Sequence, residues 1–237
     1  TMNVAEHYEC ARELGSIAPD RYADMLILDK LTTVAVNTVI SDGQVVSRNG
    51  KLLARIENPS YPDFATKSMR LKQLPTLNDL VIKSRTNQES VRIRAIGIIP
   101  ASAYTRALES EAPVKEGKVS ANLDEDVLKI AVFERHHASG SIGVGFVKGL
   151  EVKEGAVAST VAHDSHNLVV AGVSELDMLA ATKILVESGG GMVAVKNEKA
   201  LAQVPLPIAG LMSDKPVEVV SNQIEQLRDA WVKLGCT

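Results

Sequence analysis

A short polar stretch held between two apolar runs places the tightest limit on how this chain can fold. Ala156, Val157, Ala158, Val161 and Ala162 form a small, apolar, strand-like approach, and Leu168, Val169 and Val170 resume it. Between them stand His163, Asp164, Ser165, His166 and Asn167. Polar side chains are costly to bury without partners, so such a stretch is expected to turn between two buried strands and face a cavity. Four of the five histidines lie between His136 and His166. Histidine suits both proton transfer near neutral pH and metal binding, which makes this turn the first candidate for chemistry.

The rest of the chain alternates short strands with a few helices. Residues 1–14 read as a helix, with Thr1 or Asn3 as cap, Ala5, Tyr8 and Ala11 along one face, and Gly15 as its stop. Met25 to Leu28, Val34 to Ile40, Gln44 to Arg48 and Leu52 to Ile56 read as strands, with hairpin turns at Asp42-Gly43 and Asn49-Gly50. Asn58 to Pro62 breaks the pattern and reads as a linker. Val91, Ile93 and Ala95 alternate with Arg92 and Arg94 as a half-buried strand, and Val127 to Phe133 is another. Gly140 to Gly149 carries four glycines and reads as a bent loop or bulged strand. Ser174 and Asp177 make a capping box for a helix closed by Gly189. Met192 to Val195 and Ala200 to Val204 flank a hairpin turn. Val217, Val220, Ile224, Leu227, Trp231 and Leu234 form the apolar stripe of a last helix, after Pro216 and before Gly235. The expected fold class is mixed α+β, with a helix over 1–14, a small β unit and linker over 15–65, and an α+β domain over 66–237.

At 237 residues the chain can bury a sizeable core. A net charge of −3 and 3% aromatic residues leave neither a basic footprint nor a stacking surface for nucleic acid. No apolar run approaches the roughly 20 residues of a membrane span. The two cysteines, Cys10 and Cys236, make no disulfide framework, which points to a reducing, cytoplasmic setting. The first residue is Thr, not Met, so a fragment of a longer protein is expected.

His163 and His166, with Asp164, could offer ligands to a divalent metal. They could equally hydrogen-bond a heterocycle, or sit in a satisfied polar turn where Asp164 and Asn167 cap backbone groups. No glutamate separates the two histidines, so this is not the zinc-protease pattern. Glu134, Arg135, His136 and His137 end an apolar strand. Arg135 reads as an ion-pair partner of Glu134 or Asp164, and His136 could close a cluster with His163 and His166. Gly189 to Gly191 follows a helix and reads as its stop, since phosphate loops precede one. Pro205 to Ser213 reads as a wall or packing loop. Cys10 has no histidine partner, which argues against a thiol nucleophile.

Thr1 to Glu6, Gly15 to Pro19 and Arg21 to Asp24 resemble the point where amidohydrolases leave their metal-bearing barrel for a small β-sandwich. Glu134 to His136, Gly140 through Gly149, Val161 through Asn167 and Pro205 through Lys215 together resemble the C-terminal domain of the adenine deaminase family. The resemblance covers essentially the whole chain. It implies the last helix of the barrel region over 1–14, a β-sandwich portion over 15–65 and a C-terminal α+β domain over 66–237. It also implies metal-dependent hydrolysis of adenine to hypoxanthine and ammonia. The binuclear manganese or iron centre of that family sits in a (β/α)8 barrel with a His-x-His motif that this sequence does not contain. Metal ligands are therefore expected outside this chain, with no metal held by it and no activity from it alone. The implied partners are adenine, the barrel segment and further copies in a homo-oligomer. In that setting His163, Asp164, Ser165, His166, Asn167, His136 and Arg135 are expected at the substrate pocket. Two other readings stand beside this one: a non-catalytic module binding purine or a partner, and a free-standing metal hydrolase using His136, His163 and His166.

Overall fold

A computed structural model describes residues 1–56 and 60–236, and the chain divides into two compact units, Thr1–Ser60 and Tyr61–Thr237. The expected linker at Asn58 to Pro62 falls partly on residues 57–59, outside the described residues.

The first unit opens with helix α1 (Met2–His7). The helix expected over 1–14 stops there because Tyr8 leaves the helical region and Glu9 takes a left-handed φ of 59°. The chain folds back so far that a Cβ on Gly15 would meet Ala5 Cβ and Met2 Sδ at 3.0 Å each. A straight helix through residue 14 would carry Gly15 away from both. Strands β1 (Met25–Lys30), β2 (Ala35–Ser41), β3 (Gln44–Arg48) and β4 (Lys51–Leu52) then form one antiparallel sheet in the order β1-β2-β3-β4. The expected turns are present: Asp42-Gly43 has φ of 48° and 74°, and Asn49-Gly50 has 50° and 72°. Two consecutive positive φ values are what a tight hairpin requires. The strand expected over Leu52 to Ile56 ends at Leu52. Leu26, Ile27, Val36, Val45 and Leu52 are exposed, so this sheet has no second layer among the described residues of its own unit.

The second unit has short helices α2 (Asp63–Thr66) and α3 (Leu77–Leu80), then strands β5 (Ser90–Ile98), β6 (Thr105–Lys115), β7 (Lys118–Val119), β8 (Val127–Phe133), β9 (Ile142–Lys148), β10 (Ala156–Ser159) and β11 (Leu168–Gly172). Helix α4 (Glu175–Glu187), strands β12 (Gly191–Lys196) and β13 (Lys199–Pro205), and helix α5 (Val217–Leu234) complete it. The nine strands form one sheet, ordered β13-β12-β10-β11-β8-β9-β5-β6-β7. Every pairing is antiparallel except β5 with β9, which meet in parallel at Ile96↔Val147 and Gly97↔Lys148. The architecture is α+β, as the residue pattern implies.

Strand alternation sorts the side chains onto two faces. Ala131, Phe133, Ala156, Ala158, Leu168, Val170, Val193 and Val195 pack under Met178, Ala181 and Leu185 of α4 and Leu80 of α3. Leu128, Val147, Ala171, Ala194 and Val204 point the other way and meet Leu227, Ala230 and Leu234 of α5. Ser174 caps α4 by accepting from the Asp177 N–H. The returning half of the expected capping box is spent elsewhere: the Asp177 carboxylate accepts from Glu198 N at 2.6 Å and so fixes the β12–β13 turn. The segment expected to bend or bulge is regular, for β9 pairs with β8 without a register shift from Val127↔Lys148 to Phe133↔Ile142. The bends lie at its ends, Gly140 and Gly149, with φ of 79° and 104°.

Candidate functional site

Residues 160–167 join β10 to β11 as a polar tip at one end of the sheet. Its base is Thr160, fully buried, whose Oγ1 donates to Gly210 O at 2.6 Å and accepts from Gly191 N at 2.8 Å. Asp164 and His166 adopt positive φ, 72° and 49°, which tightens the turn. It is closed by His166 N donating to Ala162 O at 2.8 Å.

Two histidine rings are oriented by backbone carbonyls. His166 Nδ1 lies 2.6 Å from Val161 O, and His136 Nε2 lies 3.0 Å from Ser165 O. A carbonyl only accepts, so these two nitrogens carry the protons. His166 keeps Nε2 and His136 keeps Nδ1 as acceptors while both rings are neutral. His163 and Asp164 stand out in solvent, their side chains 86% and 92% exposed, with His163 Nδ1 3.1 Å from Asp164 Oδ1. The His163 and His166 rings meet edge to face at 6.5 Å. Asn167 is half-buried, and its Oδ1 is enclosed without a hydrogen-bond partner. Ser165 is exposed and contributes its carbonyl to His136.

Beneath the tip lies Arg135, 1% exposed. The ion pair expected with Glu134 or Asp164 is not its bonding. Its Nε donates to His166 O at 2.6 Å, Nη2 to Ala209 O at 3.0 Å, and Nη1 approaches Ser68 O and Oγ at 3.4 Å. Burial pushes its pKa below the usual guanidinium value. So enclosed a side chain cannot touch a substrate. Arg135 is a strut that ties the tip, the loop at 205–213 and the segment before α3 to the end of β8. Gly210 allows this, since a Cβ there would meet the guanidinium at 2.8–2.9 Å.

Glu134 is engaged with its own loop instead. Its carboxylate accepts from His136 N at 2.5 Å, His137 N at 2.8 Å, Ser139 N at 3.1 Å and Ser139 Oγ at 2.8 Å. These donors, the Ser139 N–H foremost, hold its pKa down to about 2. Gly189, Gly190 and Gly191 turn α4 into β12 with φ of 76°, 118° and 138°, and they carry no ligand geometry.

The structure brings His136, His166 and Ser165 together, leaves His163 and Asp164 outward, and puts Arg135 inside. It does not assemble the metal set of a free-standing hydrolase. One nitrogen each of His136 and His166 is occupied by a carbonyl, and among the described residues no three His, Cys, Asp or Glu side chains are placed to hold a metal ion. Thr160 and Ser68 went unnoticed in the sequence, because a single hydroxyl residue carries no pattern. A groove beside the tip carries no local sequence signal either, because its lining comes from strands far apart in the chain.

A mixed sheet with helices on both faces and a histidine-bearing tip at a strand end defines an α+β domain that presents polar groups beyond its own core. The family model described as the adenine deaminase C-terminal domain matches residues 102–237. The chain belongs to the adenine deaminase family. It is 47% identical to an adenine deaminase of Moorella thermoacetica, 45% to one of Clostridium botulinum and 42% to adenine deaminase 2 of Carboxydothermus hydrogenoformans. These matches cover 100%, 100% and 99% of this chain, but 40%, 39% and 40% of the relatives. The chain thus spans about 40% of the length of the curated relatives it matches.

Proposed function

We propose that this chain is the C-terminal part of an enzyme that hydrolyses adenine to hypoxanthine and ammonia in the cytoplasm. Its tip at residues 161–167 would help enclose the purine. Family membership and the names of the relatives support the reaction. Two free thiols are in keeping with a reducing compartment. The manganese or iron centre expected of the family does not fit the side chains described, for the reasons of geometry given above.

The observation that carries the reading is the fixed tautomers of His166 and His136. Each neutral ring offers an acceptor whose placement is set by a backbone carbonyl on its far side. His163 and Asp164, outward on the same turn, add a donor and acceptors. Adenine presents an amine that donates and ring nitrogens that accept, so a mixed tip of this kind matches its edge. The tip thus orients the base and excludes water, while proton transfer at the reacting carbon belongs to groups outside this chain.

In the full-length enzyme, His166→Ala or His163→Ala should lower kcat/KM by about tenfold to a hundredfold, the worth of one hydrogen bond of roughly 1–3 kcal/mol. Metal content should not change. Loss of a metal equivalent would show ligation instead. Unchanged kinetics with a lowered melting temperature would reduce the tip to a structural turn.

A further inference from the structure

One face of the nine-stranded sheet is only half covered. Helix α5 packs over the β12–β13 end, through Leu227, Ala230 and Leu234. Beside it runs an open groove of ≈ 510 Å³, from Trp231 and Met192 across Val157, Val169 and Ile130 to Ile96 and Ile98 on β5. The register makes this one continuous surface. Val169 stands opposite Val132 and Ser159, Ala171 opposite Ile130 and Val157, and Ile96 opposite Val147. Ile96 is 45% exposed and Ile98 36%.

Two glycines stand beside it. Gly143 and Gly145 of β9 pair with Val132 and Ile130 and so lie on the same face. A Cβ at either would meet nothing within 4 Å. Neither has a positive φ, so the backbone there does not require glycine. Glycine inside a strand with open space above it marks a place where another backbone comes close. The lining carries few side-chain polar groups, the hydroxyls of Thr105 and Ser159 and the enclosed indole N–H of Trp231, which has no hydrogen-bond partner among the described residues. A small ligand would find no convergent polar groups to orient it.

We propose that the groove seats a helix from the part of the enzyme that the longer relatives carry beyond the stretch this chain matches. The proposal rests on the reading of the chain as part of a full-length adenine deaminase. Two observations support this occupant. The relatives have about 60% of their length outside the matched stretch. From β12 to β5 the groove crosses five strand spacings, about 24 Å, which a helix of about 16 residues spans. A second copy fits less well, because a twofold contact would set this concavity against itself. Val161 and Ala162, the first residues of the polar tip, are part of the groove's lining. A helix seated there would bring the rest of its domain against His163 and His166.

The test uses the full-length protein with a photo-crosslinking benzophenone side chain at Ile96, and separately Ile96→Cys and Tyr104→Cys for thiol labelling. Tyr104 is 80% exposed and reports open surface. The expected result is a crosslink into the additional region within the same polypeptide, and labelling of Ile96→Cys at least tenfold slower than of Tyr104→Cys at every protein concentration. A crosslink to another copy, a crosslink into residues 1–60, or equal labelling rates would overturn the proposal. None of these readouts depends on turnover, so they stand apart from the His166→Ala kinetics that test the tip.

Discussion

At the residue scale, Glu134 shows how a charged side chain at a strand end can serve its own loop. Its carboxylate gathers three backbone N–H groups and a hydroxyl, and its pKa falls to about 2 from an ordinary 4.5. A carboxylate with a depressed folded-state pKa stabilises the fold fully above its unfolded value and loses that contribution as pH falls through the folded one. The window is therefore about pH 4.5 down to 2. Glu134→Gln should flatten the pH dependence of the melting temperature within it and leave the slope above pH 5 unchanged. Thermal melts at a series of pH values check this. Sequence alone marked Glu134 to His137 as worth attention. It could not say that the acid would turn back on Ser139 while Arg135 turned inward, because both outcomes follow from a loop path that no local pattern encodes.

At the element scale, Arg135 joins pieces that are far apart in sequence. His166 O, Ala209 O and Ser68 converge on one guanidinium. A lysine has three donors on a flexible stem and cannot reproduce that planar fork. Arg135→Lys should lower stability by about 2–3 kcal/mol, because it strands buried carbonyls. Arg135→Met should cost more, and urea unfolding of the full-length protein would rank the two. Strands were the most legible elements. Val127 to Phe133 and Gln44 to Arg48 have the bounds their apolar patterns imply, and both glycine-bearing hairpin turns fall as read. Strand β6 was not legible, because its eleven residues include Arg106, Glu109, Glu111 and Lys115. It forms by pairing along the whole of β5, a nonlocal cause that propensity does not contain. The first helix was overread because Ala5, Tyr8 and Ala11 have helical spacing, while the return of Gly15 onto Ala5 is decided by packing.

At the scale of the whole molecule, the two units differ in how finished they are. The first is a single sheet with apolar side chains on view, and the second has a dense core under α4 and a half-open face beside α5. The tip was legible as a polar turn because His163 to Asn167 interrupt two apolar strands. The groove was not, since its floor is assembled from seven strands scattered from Ile96 to Met192. The parallel pair within this sheet has a mechanical meaning. β5 and β6 match along nine residue pairs, and β8 and β9 along seven, yet β5 meets β9 only at Ile96↔Val147 and Gly97↔Lys148. Sheets part where their ladders are shortest, so the β5–β7 flap is expected to open as a separate cooperative piece. Hydrogen exchange should show the amides of β5 and β6 losing protection together, well before those of β8 and β11. The groove straddles this line, so whatever fills it also rivets the seam, and a sheet that would otherwise hinge becomes a rigid platform for the tip.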